Sequence, residues 1–534
     1  MVIQKILIQN YKSFETFDLE FTNACNIIVG DNEAGKSTLL EAINLALTGQ
    51  LNGRNISYEL TPFLFNKKVV AEYVSKLKAK EAVATPKIII ELYLEDSTEL
   101  ASLKGTNNTK RENAVGISLT IQFNEEYLDE YKAYINDPEK IKTVPTEYFE
   151  IKWYSFDHNQ ITSRSLPIKT TLIDTTSVRL HNGTDYYIQK TIDDILEKKE
   201  RAELSLLYRK LKETFAEEES IKALNKRLKA NKNIISHRDL TVSIDISHKS
   251  NWDANLTSYL DDIPFQYIGR GDQNVLKMVL ALERKRAKES DVILIEEPEN
   301  HLSFSTMHML IEMINEKCID KQLIMSTHSA FVLNKVGIEK LILVGDNKQI
   351  LTLKDLPEDT QKYFKKLPGY DTLRLVLAKK SILVEGPSDE LFVQMAYKKK
   401  HGKLPIENGV DVICVKGLSF KRFLDIAKIL EKNVIVVTDN DKDLARVAAK
   451  YKDYVCDTIK VYYGDDINYP TLEPQIVNCN DLAVLNRVFN TTYVDKTQLS
   501  TYMGNKNNKT ECALQLFETA EEIIIPDYIQ NAIE

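Results

Sequence analysis

Cysteine is sparse and scattered in this chain. The six cysteines (Cys25, Cys318, Cys414, Cys456, Cys479 and Cys512) form no C-x-x-C pair and no metal-ligand spacing. That argues against zinc and fits a reducing, cytoplasmic setting. Glycine and proline are also few, 18 and 14 in 534 residues, and with 43% hydrophobic and 28% charged residues the composition is globular. No apolar run approaches the roughly 18 residues that a membrane span needs. The start, MVIQKILIQNYKSF, alternates like a strand and lacks the apolar core and small-residue cleavage site of a signal peptide. Basic residues are not in excess: the net charge of -8 does not advertise nucleic-acid binding. It does not exclude it, because carboxylates gathered around metal ions dominate such a total. The length points to about three to four domains.

What is present is organised around Asp291–Leu302, DVILIEEPENHL. Val292–Ile295 reads as a strand buried on both faces. Glu296 and Glu297 follow, and Pro298 ends the strand by removing a ladder donor. Two carboxylates at the end of a buried strand are costly unless a cation waits there. The fitting cation is Mg²⁺ carrying a nucleotide, one glutamate holding the metal and the next orienting or deprotonating water. A solvated acidic turn is the bland alternative, and the amino-terminal third weighs against it. There the short strand Asn26–Val29 runs into Gly30-Asp31-Asn32-Glu33-Ala34-Gly35-Lys36-Ser37-Thr38 and then a helix, Leu39–Leu47. This G-x-x-x-x-G-K-S loop lets backbone N–H groups curl around phosphate oxygens. Lys36 reaches the β/γ-phosphates, and the Ser37 hydroxyl is a Mg²⁺ ligand.

Val2–Ile8, Phe17–Phe21, Lys87–Leu94, Val115–Phe123 and Phe149–Phe156 read as strands, the last three suiting an antiparallel sheet beside the nucleotide core. Asn159-Gln160 reads as surface loop, with a Mg²⁺-sensing glutamine as the sharper alternative. Ile192–Lys232 contains neither Gly nor Pro and reads as one or two amphipathic helices, either a solvated face or an insertion that packs on another subunit. IGRGDQ, Ile268–Gln273, precedes a helix over Asn274–Arg284; Gly271 and Gln273 there suit a γ-phosphate approached from outside. Gln322–Met325 is a further short strand, ending in Ser326-Thr327-His328-Ser329, with His328 placed to report a γ-phosphate.

In this order, Gly30–Thr38, Gly269–Gln273, Glu296–Glu297 and His328 resemble the head domains of ATP-binding-cassette ATPases of the chromosome-maintenance and recombination branch. The resemblance implies ATP sites at a dimer interface, Glu296 assisting Mg²⁺ and Glu297 acting as general base. The chain departs from that pattern in reading IGRGDQ where the family has LSGGQ, and it has no long coiled coil between its halves.

In the last third, Ser381–Val384 reads as a buried strand leading to Glu385-Gly386-Pro387-Ser388-Asp389-Glu390 and a helix, Leu391–Lys398. DVICVKG from Asp411, helical Phe420–Leu430, and Val434–Thr438 before Asp439-Asn440-Asp441 complete a β-α-β-α-β pattern. Glu385, Asp439 and Asp441 then sit at carboxyl ends of strands, where such sheets place ligands. Asp389 at the helix start is a further donor, and hard oxygens suit Mg²⁺ or Mn²⁺. SILVEGPSDE with VVTDNDKD resembles the Toprim domain of topoisomerases, primases and certain nucleases. A cassette-type ATPase fused to Toprim resembles the OLD (overcoming-lysogenisation-defect) family of ATP-dependent endonucleases, which includes the nuclease subunit of the Gabija defence system. The resemblance assigns metal binding to Glu385, Asp389, Asp439 and Asp441, and extends it to Glu473 in Thr471-Leu472-Glu473. It assigns a phosphate-assisting lysine to Lys509, with Lys506 as the neighbouring alternative.

The expected fold class is α/β, an ABC-type, SMC-like P-loop ATPase with a helical insertion followed by a Rossmann-like Toprim domain. The expected division is ATPase at 1–190 and 251–350, insertion at 191–250, linker at 351–378, and Toprim with a helical tail at 379–534. The expected function is an ATP-gated, divalent-metal-dependent DNA endonuclease. Antiphage defence is implied by the resemblance, as are a homodimer or larger homo-oligomer and a partner helicase or other defence-system subunit. The alternatives are cleavage of RNA, or an ATPase sensor that binds and does not cut. Priming would need nucleotide polymerisation, and strand passage a tyrosine in a separate DNA gate, which no segment resembles.

Overall fold

The computed structural model describes residues 1–163, 165–174, 180–181, 184–185, 196–230, 241–244, 252, 259–345, 348–417 and 419–534. An antiparallel sheet carries Phe14–Glu20, Ile3–Tyr11, Ile88–Leu94 and Ala114–Phe123 in that spatial order, with Phe149–Ser155 paired to the last. Period-2 alternation buries Ile88, Ile90 and Leu92 with Ile117, Leu119 and Ile121 on one face. There they pack against Leu39, Leu40 and Ile43 of the helix Lys36–Thr48.

The central sheet has the order Thr170–Asp174, Val292–Glu296, Gln322–Ser326, Cys25–Val29, Leu341–Val344, Ile350–Thr352. All its pairings are parallel except the last. Its strands are near-continuous apolar runs because helices or the antiparallel sheet cover both faces. The parallel arrangement brings Gly30, Glu296, Glu297 and Thr327 to one carboxyl edge. Asp174, on a strand whose short TTLID gives little periodic signal, lies in register with Glu296.

A third, all-parallel sheet has the order Val410–Cys414, Lys380–Val384, Asn433–Val437, Ile459–Tyr462. The fold is thus the expected α/β class, a P-loop ATPase sheet followed by a smaller Rossmann-like one.

Two helices begin earlier than their apolar periodicity indicates, at Arg270 and Pro387, because Gly269 and Gly386 stand outside as N-caps. Pro387 suits the first turn, where its missing N–H leaves no intrahelical bond unmade. Of the expected insertion, Lys198–Glu217 and Glu219–Ala230 are helical. Its flanks at 191–195, 231–240 and 245–250 lie outside the described residues. Asn159 and Gln160 are exposed, and the Asn159 amide donates to Asp157 at 2.9 Å, the surface-loop reading.

Residues 351–378, expected as a linker, are built into the core. Helices Glu358–Lys366 and Thr372–Leu377 bury Phe364, Leu375 and Val376 completely. These join one apolar cluster with Ile293 and Leu333 of the ATPase half and Leu383 and Phe423 of the other. The charged EDTQKYFKK hides the single buried face that holds it. Among the described residues no helix is long and apolar enough to cross a membrane.

Candidate active sites

At the nucleotide site the loop 30–35 is held so tightly that its glycines are obligatory. A Cβ at Gly30 would stand 2.7 Å from the Val344 carbonyl oxygen. Gly35 has φ +103, and a Cβ there would meet Phe14 and Ser13 at 2.7 Å. Lys36 is buried, and its Nζ donates to the carbonyls of Gly30 at 2.9 Å and Asp31 at 3.1 Å, curled over the phosphate cradle. Burial lowers its pKa, while the carboxylates of Glu297, Asp31, Glu296 and Glu299 hold it up. Asn32 and Ser37 are exposed on the same rim and Thr38 is half-buried behind them. Lys348, which the motif does not foretell, buttresses the loop from below by donating to Ala34 O at 2.6 Å.

Burial raises the carboxyl pKa of Glu296. A hydrogen bond from the Ser37 hydroxyl lowers it, and Asp174, Glu297 and Glu41 push it further up. Ser37, Thr38, Glu296 and Asp174 line one open cavity of about 290 Å³ that Lys12, Arg284 and Arg286 also border; the oxygens of the first four are hard donors that fit Mg²⁺. Glu297 sits at φ +40, a strained position for a side-chain-bearing residue. It is held on two sides, Oε2 accepting from Asn300 Nδ2 at 2.8 Å and Oε1 lying 3.3 Å from His328 Nε2. Burial and the nearby Lys36 lower the His328 pKa, and Glu297 opposes them. Glu299 fixes this corner from behind, accepting from Thr327 Oγ1 and from the His328 backbone N–H, both at 2.7 Å.

The IGRGDQ segment is engaged elsewhere. Gln273 Nε2 donates to Phe265 O at 2.9 Å and Ile268 O at 3.1 Å, closing its own loop. Gly271 packs against the His301 carbonyl, which a Cβ would approach to 2.8 Å. On the same helix, Asn274 donates to Asn300 O at 2.8 Å. Asp174, Glu299 and Asn300 belong to no sequence motif; only the fold brings them to the site.

The second site lies at the carboxyl edge of the third sheet. Glu385 Oε1 accepts from Thr438 Oγ1 at 2.7 Å and from the Asp439 N–H at 3.4 Å, tying two neighbouring strand ends together. Asp389 closes the first turn of its helix by accepting from Gly386 N at 2.9 Å. Asn440 is fully buried and donates to Gly464 O and Asp466 O, each at 2.9 Å, which fixes the turn that presents Asp439. Asp441, at φ +50, is exposed on the rim. Glu473 is 4% exposed and pairs with Lys509 at 2.9 Å; Lys506 is exposed on the preceding turn.

The crevice electrostatics are unbalanced. Burial, then Glu385, Asp389 and Glu473, push the Asp439 carboxyl up to about 8, and Lys509 offsets them only partly. Asp389 is pushed up to about 6, chiefly by burial. Burial lowers the Lys509 pKa, but Glu473, Asp389 and Asp439 outweigh it and hold the ammonium charged. Tyr528, buried on the last short helix, has its hydroxyl pKa raised by burial and by the same four carboxylates. Among the described residues no three acidic, His or Cys side chains are closed to ligating distance. The donor chemistry nevertheless fits a hard divalent ion, since one lysine faces four carboxylates that cannot all ionise together without added positive charge.

Residues 1–333 match the family model described as AAA ATPase domain, and residues 376–441 match that of the overcoming lysogenization defect protein-like TOPRIM domain. Glu385, Asp389, Asp439 and Asp441 fall inside the second match; Glu473 and Lys509 lie beyond it. Among curated relatives, DNA replication and repair protein RecF of Pasteurella multocida is 29% identical over 108 residues, 19% of this chain and 30% of that one. RecF of Clostridium beijerinckii is 24% identical over 203 residues, 36% of this chain and 54% of that one. The chain therefore spans about a third to a half of these relatives. Among solved structures, the SMC head domain from Thermotoga maritima aligns at 14% identity and TM-score 0.29, covering 65% of this chain and 94% of that one. The Pyrococcus furiosus Smc head domain bound to the C-terminal domain of ScpA aligns at 15% identity and TM-score 0.33, covering 68% and 99%. With its nucleotide loop and acid-tipped strands in the first match and its carboxylate crevice opening in the second, the chain belongs to the AAA ATPase domain family and has the ATPase–Toprim architecture of the OLD family.

Proposed function

We propose that the chain is an ATP-gated, divalent-metal-dependent DNA endonuclease. The observation that carries this reading is Asp439, held near pKa 8 among Glu385, Asp389 and Glu473 with Lys509 beside them. Such a cluster ionises fully only when added positive charge displaces its protons, and a phosphodiester brings none. Glu385, Asp389, Asp439, Asp441 and Glu473 would hold Mg²⁺ or Mn²⁺, which supplies Lewis-acid activation of water and of the leaving oxygen. Lys509, paired with Glu473 at 2.9 Å, would neutralise charge developing on a phosphate oxygen. In the head, Lys36 and the loop 30–35 bind phosphates, Ser37 and Glu296 offer oxygens to the nucleotide's Mg²⁺, and Glu297 accepts the proton of the attacking water.

Gln273 and Gly271 are engaged with their own subunit's loops. The order of the Gly30–Thr38, Gly269–Gln273, Glu296–Glu297 and His328 segments supports a homodimer through the heads, in which Gln273 would have to leave those carbonyls to meet the γ-phosphate of a second copy's nucleotide. The exposed Leu207, Leu211 and Phe215, spaced four apart on Lys198–Glu217, support a role of the insertion in the same assembly. The OLD architecture supports a place in antiphage defence with a helicase or other defence-system subunit as partner, which phage plating with and without the gene tests.

The deciding experiment is supercoiled plasmid incubated with purified protein and Mg²⁺ or Mn²⁺, with and without chelator and ATP. Metal-dependent nicked or linear product is expected. Intact plasmid beside degraded single-stranded RNA would move the substrate to RNA. Intact plasmid and intact RNA in every lane would overturn the nuclease and leave an ATPase that binds nucleic acid. Lys36→Ala is expected to weaken binding of a fluorescent ATP analogue by at least about tenfold, the loss of one charge-assisted phosphate contact. It should also remove the difference between the lanes with and without ATP; equal cleavage at all ATP concentrations by wild type and variant would count against gating.

A further inference from the structure

We infer that Asn334 is the positioning residue through which the His328 segment of the ATPase sets the placement of Glu385 in the nuclease crevice. The inference rests on the gated-nuclease reading and names the contact that carries the gate.

His328 leads directly into the helix Ala330–Val336, which Ser329 caps by accepting the Val332 N–H at 3.3 Å. On that helix Val332, Leu333 and Val336 enter the shared apolar cluster, and Asn334 is buried with them at 0% exposure. A buried amide costs stability unless its bonds are made. The side-chain bonds of Asn334 all cross to one segment. Its Nδ2 donates to Pro368 O at 3.2 Å and Tyr370 O at 2.9 Å, and its Oδ1 accepts from the fully buried Thr372 hydroxyl at 2.8 Å.

Thr372 opens the helix Thr372–Leu377, and from that helix Arg374 grips Asp411 with two bonds of 3.0 and 2.6 Å and Val412 O with a third of 2.8 Å. Val410–Cys414 is paired in register with Lys380–Val384, the strand that ends at Glu385. From the switch histidine to the first nuclease carboxylate, the links are therefore a short helix, a three-bond amide, a second short helix, an arginine fork and a strand pair.

Apolar packing alone lets helices slide by small amounts, since the contacts that Leu333 and Val376 make within the shared cluster are non-directional. The amide is directional. It permits one register of 368–372 against the switch helix, so a displacement of His328 on loss of γ-phosphate carries that segment with it. A leucine of similar volume would fill the space and transmit nothing specific.

The test is hydrogen–deuterium exchange on the full chain, apo and with a non-hydrolysable ATP analogue and Mg²⁺. In wild type, nucleotide is expected to change exchange both at 30–38 and at 368–385. In Asn334→Ala the change at 30–38 stays and that at 368–385 is lost. Thr372→Ser, which keeps the hydroxyl, should retain the distal response, and Thr372→Val should lose most of it. ATP hydrolysis should stay within about twofold in all of them, as expected for sites outside the chemistry, while the ratio of cleavage with and without ATP moves toward one in Asn334→Ala. If Asn334→Ala does not fold, the Thr372 pair decides alone. A distal response preserved in folded Asn334→Ala and Thr372→Val, or absent from wild type, overturns the inference. A distal response in wild type without cleavage in any lane leaves it standing and sinks the nuclease reading instead.

Discussion

Alanine at Asp439 is expected to lower phosphodiester cleavage by about 100-fold or more. Groups that merely orient a metal ligand already cost about 10–100-fold when removed, and Asp439 has three carboxylate neighbours pressing on its charge. The same geometry fixes a pH dependence. With Asp439 at about 8 and Asp389 at about 6 in the metal-free protein, a divalent ion must displace protons to bind. Mn²⁺ affinity, measured by calorimetry, should fall about tenfold per unit as pH drops from 8 to 6, one proton being displaced. It should fall more steeply below 6.

The effect on stability has the opposite sign to that of a salt-bridged carboxylate. Both folded-state values lie above the ordinary aspartate value of 3.8. Between that value and 8 the folded chain binds more protons than the unfolded one, so the cluster destabilises the metal-free fold as pH rises. Added Mn²⁺ should therefore raise the melting temperature more at pH 8 than at pH 5.5. An affinity flat across this range, and unchanged in Asp439→Ala, would remove the crevice as the metal site.

Replacing Glu297 with glutamine is expected to lower ATP hydrolysis by about 10²–10⁴-fold, the usual worth of a general base, while leaving nucleotide binding near wild type. Glutamine preserves the acceptor that Asn300 Nδ2 engages at 2.8 Å, so the strained backbone at φ +40 keeps its support. What is lost is the anion facing water. Phosphate release and analogue binding, measured side by side, separate the two effects. A variant hydrolysing at the wild-type rate would pass the base to another group, with Glu296 the nearest candidate.

Both candidate sites were legible in the sequence where their residues are local. A strand, a glycine-bounded loop and a helix are consecutive in the chain, so Gly30–Thr38 reveals itself. Carboxylates directly after apolar strands, Glu296 and Glu385, do so as well. Legibility failed where a residue acts through distant packing. Asp174 reaches Glu296 only because two parallel strands far apart in sequence share a register. Glu299 and Asn300 look like any acidic turn until Thr327, His328 and Glu297 are brought against them. Gln273 had the right spacing for a phosphate contact, but within its own subunit it spends both amide hydrogens on loop carbonyls. Lys506 and Lys509 are alike in sequence, whereas in the fold Lys509 opens a helix and pairs with Glu473 while Lys506 stays exposed on the turn before it.

The apolar cluster that runs from Ile293 through Phe364 to Leu383 and Phe423 bears on how the molecule comes apart. Cooperative unfolding follows contiguous cores and not motif boundaries. The central ATPase sheet and the Toprim sheet should therefore melt in one transition, and a cut at residue 350 or 378 would open apolar surface on both fragments. A nucleotide bound at Lys36 would then protect the Toprim half against heat and protease, although the two ligand sites share no residue.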